Sequence, residues 1–262
     1  MLRILTLLAL CAAAAPLAAQ TPLRSLTSAD AARQWQAVGR LSIGNGTALC
    51  SATLVSDRLV LTAAHCLFRS DGVAYPPEAI EFQPGWRNGG AAAYRRAKRF
   101  AIHPEFQLSG QDWAYRLARD IAIIELDLPV NTGGVAPLDI SDHAPDSLAV
   151  SVISYAVDRA NAPSIEEDCA IVARESGALL LSCSAGPGAS GAPILANVGG
   201  RLQMVGLISA IGQWGGDQVS AGAEIGPAMA VLLPLLRAAP GGIMFRPAQA
   251  QSLAEQLGRT NP

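Results

Sequence analysis

A serine, a histidine and an aspartate lie in three short segments whose residue types could together activate a nucleophile. Ser190 carries the single hydroxyl of a turn built from glycine, proline and alanine at residues 186–193. A serine hydroxyl is a weak nucleophile until a base accepts its proton, and the base works best when a carboxylate orients it. His65 and Asp120 offer the imidazole and the carboxylate. We therefore predict that Ser190 is a nucleophile, that His65 is its general base and that Asp120 orients the imidazole.

Two sequence blocks around these residues are specific enough to indicate a family. Thr-Ala-Ala-His-Cys at 62–66 and Gly-x-Ser-Gly-x-Pro at 188–193 resemble the blocks of trypsin-like (chymotrypsin-fold) serine peptidases, of the bacterial secreted type near the glutamyl endopeptidases. The likeness runs from about Trp35 to about Leu236. It implies an all-β fold of two packed antiparallel six-stranded β-barrels, with the active site in the cleft between them. It also implies that the protein hydrolyses peptide bonds through an acyl-enzyme on Ser190.

Short apolar runs alternate with turn residues along most of the chain, as expected of antiparallel barrels. We expect an N-terminal barrel at residues 35–134 and a C-terminal barrel at 135–240. Residues 20–34 are predicted to be an N-terminal segment or short pro-piece, and residues 241–262 a tail. Residues 229–237 are predicted to form a final strand or a helix. The predicted strands cover residues 38–43, 48–55, 59–61, 79–82, 94–102 and 121–126, followed by apolar runs at 148–157, 169–173, 179–182, 193–196 and 204–211.

Residues 1–19 are typical of a signal peptide, with Arg3 followed by a short apolar run and small residues. The run is too short to span a membrane, so we expect a secreted or periplasmic mature chain without a membrane span. Cys11 suggests a lipoprotein leader as an alternative, but the large Leu10 before it argues against that processing. The net charge of −2 gives no indication of a nucleic-acid partner. We expect a monomer that acts on protein or peptide substrates without a cofactor.

Four cysteines lie beyond the predicted leader: Cys50, Cys66, Cys169 and Cys183. An even number in an exported chain indicates disulfides, and the sequence alone allows three pairings. The resemblance implies a bond between Cys50 and Cys66, which leaves Cys169 to pair with Cys183. A zinc site is the alternative. Because the chain has no C-x-x-C pair and only three histidines, we expect no metal.

The resemblance also implies roles for residues beyond the three at the centre. The backbone N–H groups of Gly188 and Ser190 should form the oxyanion hole, which stabilises the negative charge that develops on the attacked carbonyl. Ser184 should lie at the base of the primary substrate pocket, and Ser209 on the strand that pairs with the substrate backbone. Ile211 stands where glycine is common and should narrow the pocket. We therefore expect small or medium apolar side chains before the scissile bond.

Three positions depart from patterns within the family. Ala189 stands where animal trypsins have an aspartate that pairs with a newly freed N-terminal amine, so we expect no such activation switch. Ser184 stands where an aspartate would favour arginine or lysine substrates. Ile208 stands where glutamyl endopeptidases carry a histidine, which argues against a preference for glutamate.

A second class of function is a catalytically silent binding or scaffold protein that kept the same fold. Such a protein is free to lose any of the three reactive residues. Because His65, Asp120 and Ser190 are all present, the sequence favours an enzyme.

Overall fold

The computed structural model describes residues 22–145, 149–238 and 243–244. The predicted leader at 1–19 and most of the predicted tail at 241–262 lie outside these residues. Within the described part, fifteen strands form two sheets, accompanied by three α-helices. The strands are β1 (Arg24–Ser25), β2 (Val38–Ile43), β3 (Ala48–Leu54), β4 (Leu59–Thr62), β5 (Ile80–Pro84), β6 (Arg95–Ile102), β7 (Ala122–Leu126), β8 (Val150–Ser154), β9 (Ser164–Cys169), β10 (Ile171–Glu175), β11 (Ala178–Leu181), β12 (Pro193–Val198), β13 (Arg201–Trp214), β14 (Asp217–Glu224) and β15 (Ile243–Met244), and the helices are α1 (Ala29–Ala32), α2 (Trp113–Ala118) and α3 (Gly226–Ala238).

Strands β2 to β7 form a closed barrel. The order is β5-β2-β3-β4-β7, and β6 pairs with both β5 and β7, which joins the two ends. Each of the six strands predicted in this half of the chain is present, and the all-β fold class is confirmed. The apolar run that forms β7 is buried at four of its five residues, as expected of a strand covered on both faces.

The second sheet contains eight strands in the order β1-β9-β8-β12-β13-β14-β11-β10, two more than the predicted six. One of the additional strands, β1, comes from the predicted N-terminal segment and pairs with β9 at Arg24 and Ser25. β13 is the longest strand. Its first part pairs with β12 as far as Leu207, and its later part pairs with β14 as far as Trp214. The last five residues of β13 are exposed, and β14 pairs with them along one edge.

The helices are short apart from α3, which was predicted as either a strand or a helix. Ser28 caps α1, where its hydroxyl accepts a hydrogen bond from the Ala31 N–H at 3.1 Å. α3 packs against β6 and β7, and β15 pairs in parallel with β6, so the end of the described chain returns to the first barrel. In the described part of the chain, every helix is too short or too polar to cross a membrane.

Candidate active site

The structure brings His65, Asp120 and Ser190 together from three different elements. His65 lies in a 3-10 turn directly after β4, Asp120 lies between α2 and β7, and Ser190 lies in the turn before β12. The Nδ1 atom of His65 is 2.6 Å from Oδ2 of Asp120, and its Nε2 atom is 3.0 Å from Oγ of Ser190. The imidazole thus connects the carboxylate to the hydroxyl, and it can accept the hydroxyl proton while its other nitrogen donates to Asp120.

Asp120 is buried, with 5 % of its surface exposed, and donors surround its carboxylate. The backbone N–H of His65 donates to Oδ1 at 2.8 Å, so the same residue contacts the carboxylate twice. The hydroxyl of Ser209 donates to Oδ2. Hydrogen bonds to a charged acceptor are roughly twice as strong as neutral ones, so they hold this buried carboxylate in one orientation.

The pKa of His65 lies above its usual 6.5. Burial of the imidazole on its own would lower the pKa. The hydrogen bond to Asp120 and the negative charge of that carboxylate outweigh burial, because both stabilise the protonated ring. The site therefore favours the imidazolium that forms when His65 accepts a proton.

The turn that carries Ser190 depends on two glycines. Gly188 has a φ of +100°, and a Cβ there would lie 3.1 Å from the Ala156 Cα. Gly191 has a φ of +82°, and a Cβ there would overlap backbone and side-chain atoms of the first barrel. Both residues occupy the left-handed region that only glycine adopts readily. In the described part of the chain, no acceptor is hydrogen-bonded to the N–H groups of Gly188 and Ser190.

Ser51 of β3 ties this turn to the first barrel. Its backbone N–H donates to the Ser190 carbonyl at 2.8 Å, and its hydroxyl donates to the Gly188 carbonyl at 3.1 Å. The same hydroxyl accepts from the Tyr155 N–H at 3.0 Å, and the Thr62 hydroxyl donates to the Ser51 carbonyl at 2.9 Å. Sequence analysis did not single out Ser51. Its signal is a serine inside a strand that is apolar apart from Thr53, directly after Cys50, and this signal by itself indicates no partner.

Two cavities share Ser209 and Ala210 in their walls, and Ser190 lines one of them while His65 lines the other. The first, here called the serine-side cavity, has a volume of about 110 Å³. The second, the histidine-side cavity, has a volume of about 220 Å³. The serine-side cavity is lined by Gly186, Pro187, Ala189, Ser190, Ile208, Ser209, Ala210 and Ile211, and the histidine-side cavity by His65, Phe106, Gln107, Leu108, Arg116, Leu117, Asp120, Ser209 and Ala210.

Of the residues predicted to bind substrate, Ser209 and Ile211 line the serine-side cavity, and Ser184 does not. Ser184 instead contacts a buried carboxylate. Its N–H and its hydroxyl donate to Oε2 of Glu166 at 2.9 and 2.6 Å. Glu166 is 3 % exposed and was not identified from the sequence, because an acidic residue in an acidic run is expected to face solvent.

All four cysteines beyond the predicted leader form disulfides, Cys50 with Cys66 and Cys169 with Cys183. The first bond joins β3 to the turn that carries His65, as the resemblance implies. In the described part of the chain, both clusters of possible metal ligands contain one of these disulfides. A disulfide sulfur is not a thiolate, so neither cluster offers the ligand set of a zinc site.

Two comparisons with known proteins bear on this geometry. The family model described as "Trypsin" matches residues 26–229. A solved structure of a Glu endopeptidase in complex with MPD superposes with a TM-score of 0.66 at 15 % sequence identity, covering 83 % of this chain and 97 % of that one. At this level of identity the second comparison shows a shared fold.

Proposed function

The chain belongs to the trypsin family of serine peptidases, and from this premise we propose that it is a secreted serine endopeptidase that acts through an acyl-enzyme on Ser190. One observation carries the proposal. An unbroken series of contacts runs from the Asp120 carboxylate through both nitrogens of His65 to the Ser190 hydroxyl, with distances of 2.6 and 3.0 Å. Few functions other than catalysis require a hydroxyl, an imidazole and a buried carboxylate to contact one another in this order.

In the first step, Oγ of Ser190 attacks the carbonyl carbon of the scissile bond while Nε2 of His65 accepts the hydroxyl proton. Asp120 holds the Nδ1–H, which keeps the lone pair of Nε2 directed at the hydroxyl. It also stabilises the imidazolium. His65 then donates its proton to the leaving amine, and the acyl group remains on Ser190. Water, activated by the same imidazole, attacks the ester and releases the acid product.

The negative charge of the tetrahedral intermediate falls on the former carbonyl oxygen. We assign its stabilisation to the N–H groups of Gly188 and Ser190, which are free of other acceptors in the described part of the chain. Loss of one such donor costs about 10²- to 10³-fold in rate in other enzymes. The left-handed φ of Gly188 supports this role, because it sets the direction of the peptide group in the turn.

The exposed end of β13 supports binding of an extended peptide. Beyond Leu207, β13 pairs with β14 on one edge, and in the described chain no strand covers its other edge. A substrate strand can pair with this edge at Ser209 and Ile211. The side chain before the scissile bond then enters the serine-side cavity. The volume of about 110 Å³ and the neutral walls of this cavity support a preference for small or medium apolar residues.

We place the protein outside the cytoplasm, in the periplasm or the medium. Two disulfides suit an oxidising compartment, and the composition of residues 1–19 suits a leader. We retain residues 35–134 and 135–240 as the proposed barrel domains on either side of the cleft. Because one chain supplies every residue of the site, we propose that a monomer acts on protein or peptide substrates.

Active-site labelling tests the proposal. A phosphonofluoridate should label the folded protein with one equivalent, and Ser190→Ala should abolish the labelling. Ser70→Ala is the matched control, because Ser70 is an exposed serine in the loop that follows the His65 turn, and it should label like the unmodified protein. Folded protein that remains unlabelled, or label retained in Ser190→Ala, contradicts the proposed function.

A further inference from the structure

The two cavities of the cleft differ in charge. The serine-side cavity has only neutral walls. The histidine-side cavity contains Arg116 of α2 beside the apolar side chains of Phe106, Leu108 and Leu117. A cation without an acidic partner in the wall of a binding cavity points to a ligand of opposite charge.

The geometry of an extended peptide assigns successive side chains to the two cavities. Side chains of a strand alternate between its faces. A substrate strand paired with Ser209 and Ile211 directs the residue before the scissile bond into the serine-side cavity, which Ser190 lines. The preceding residue then projects to the opposite face of the strand, and the cavity left to receive it is the histidine-side cavity, which His65 and Arg116 line.

The guanidinium of Arg116 is held in place but has no acidic partner. Its Nη1 donates weakly to the Leu108 carbonyl at 3.4 Å, and its side chain passes beneath Gly110, where an added Cβ would lie 3.3 Å from the Arg116 Cδ. The Nε atom is buried without a hydrogen-bond partner. Within the described residues, no carboxylate forms an ion pair with Arg116. The neighbouring Arg119, by contrast, is paired with Glu105 at 2.6 Å.

We propose that Arg116 selects substrates with an acidic side chain at the second residue before the scissile bond. This inference rests on the proposed function. An aspartate or glutamate at that position would satisfy the unpaired guanidinium with a charge-assisted hydrogen bond. The protein would then require two features in its substrate: a small or medium apolar residue at the cleavage site and a carboxylate immediately before it.

The other charged groups near the histidine-side cavity do not cancel the attraction between Arg116 and a substrate carboxylate. Asp120 also lines the cavity, but its carboxylate is buried and already accepts hydrogen bonds from His65 and Ser209. Glu105 lies on the nearby loop, where Arg119 and the Tyr115 hydroxyl bind its carboxylate, and it lines a different cavity.

The test uses peptides that differ only at the second residue before the scissile bond, glutamate against glutamine and aspartate against asparagine. The full chain is expressed, the folded protein is purified, and kcat/KM is measured for each pair. We expect the acidic member to be preferred by about 10- to 100-fold, as for a hydrogen bond to a charged group. Arg116→Gln should reduce the preference to about one, because the charge that attracts the carboxylate is lost.

Two further variants distinguish the effect of a specific contact at Arg116 from the effect of a change in net charge and from the effect of misfolding. Arg116→Glu should invert the preference, so that lysine at the same position is favoured over glutamate. Arg201→Gln removes the same charge from an exposed site, 69 % accessible and paired with Asp139, and should keep the original preference. Circular dichroism shows which variants are folded.

Equal cleavage of the acidic and neutral peptides, or a preference that persists in Arg116→Gln and Arg116→Glu, overturns the inference. A preference for acid at some other position overturns the assigned register. In these cases the proposed function stands, because the peptides are hydrolysed. If the folded protein neither hydrolyses any peptide nor takes the label, the proposed function fails and this inference fails with it.

Discussion

Replacement of Gly191 by alanine should reduce both the stability of the fold and the activity, because this position has no room for a side chain. Gly191 follows the proposed nucleophile, and its φ is +82°. An added Cβ would overlap the Ser51 carbonyl oxygen and the Thr62 hydroxyl, and it would lie 3.0 Å from the Ala63 nitrogen. The Ser51 and Ala63 atoms belong to the backbone, which cannot yield as a flexible side chain would.

The structure gives the size of the effect. An L-residue in the left-handed region costs about 1–2 kcal/mol. The turn must also move by about 1 Å to reach van der Waals separation. This movement stretches the backbone hydrogen bonds from Ser51 to Ser190 (2.8 Å) and from Gly191 to Ile208 (2.7 Å). With about 1 kcal/mol for each bond and about 1–3 kcal/mol for overpacking, the free energy of unfolding should fall by about 4–7 kcal/mol.

Gly200→Ala is a matched control for this prediction. Gly200 also has a φ of +82°, but an added Cβ there meets no atom within 4 Å. The control should therefore lose only about 1–2 kcal/mol in urea unfolding and keep its rate of phosphonofluoridate labelling. In Gly191→Ala, the displaced Ser190 hydroxyl should be labelled about 10²-fold more slowly than in the unmodified protein. Equal unfolding midpoints for the two variants, or an unchanged labelling rate in Gly191→Ala, would refute the reasoning.

Three other predictions follow from contacts around the site. Asp120 raises the pKa of His65 and catalysis needs the neutral imidazole, so kcat/KM should fall on acidification with a midpoint above pH 6.5. In pH–rate measurements, Asp120→Asn should lower that midpoint and reduce kcat by about 10⁴-fold. Ser51→Ala should lower the free energy of unfolding by about 1–3 kcal/mol in urea titrations, since it leaves the buried Tyr155 N–H and the half-buried Gly188 carbonyl without this partner; an unchanged value would contradict this. Replacing Cys50 and Cys66 by serine should cost about 3 kcal/mol in thermal unfolding, because the bond closes a loop with a sequence separation of 16, and a loss below about 1 kcal/mol would count against the loop-entropy argument.

The strands that sequence analysis identified are those whose own residues carry the signal. β2 and β7 have apolar residues in the patterns expected for half-buried and fully buried strands. β9 and β14 were not identified. β9 contains two glutamates and an aspartate, and β14 consists mainly of small and polar residues. Both are strands because of the neighbours they pair with, and strand propensity depends strongly on such context.

The residues of the candidate site also differ in whether a local sequence pattern identifies them. The three reactive residues lie in sequence blocks that could be recognised, and the structure brings them within hydrogen-bonding distance. Ser51 and Glu166 could not be identified in this way. Their roles come from partners distant in sequence, as with the 137 positions that separate Ser51 from Gly188, and no local pattern reports such a contact.

The attachment of the nucleophile turn to β3 has a consequence for the cell that makes this protein. Ser51 and Ser190 emerge from the ribosome at different times, and their backbone hydrogen bond at 2.8 Å can form only after the chain has been synthesised beyond Ser190. On the proposed function, a nascent or partly translocated polypeptide has no working hydrolytic centre. On that proposal, the topology itself delays proteolysis until the segment that carries Ser190 has also been exported.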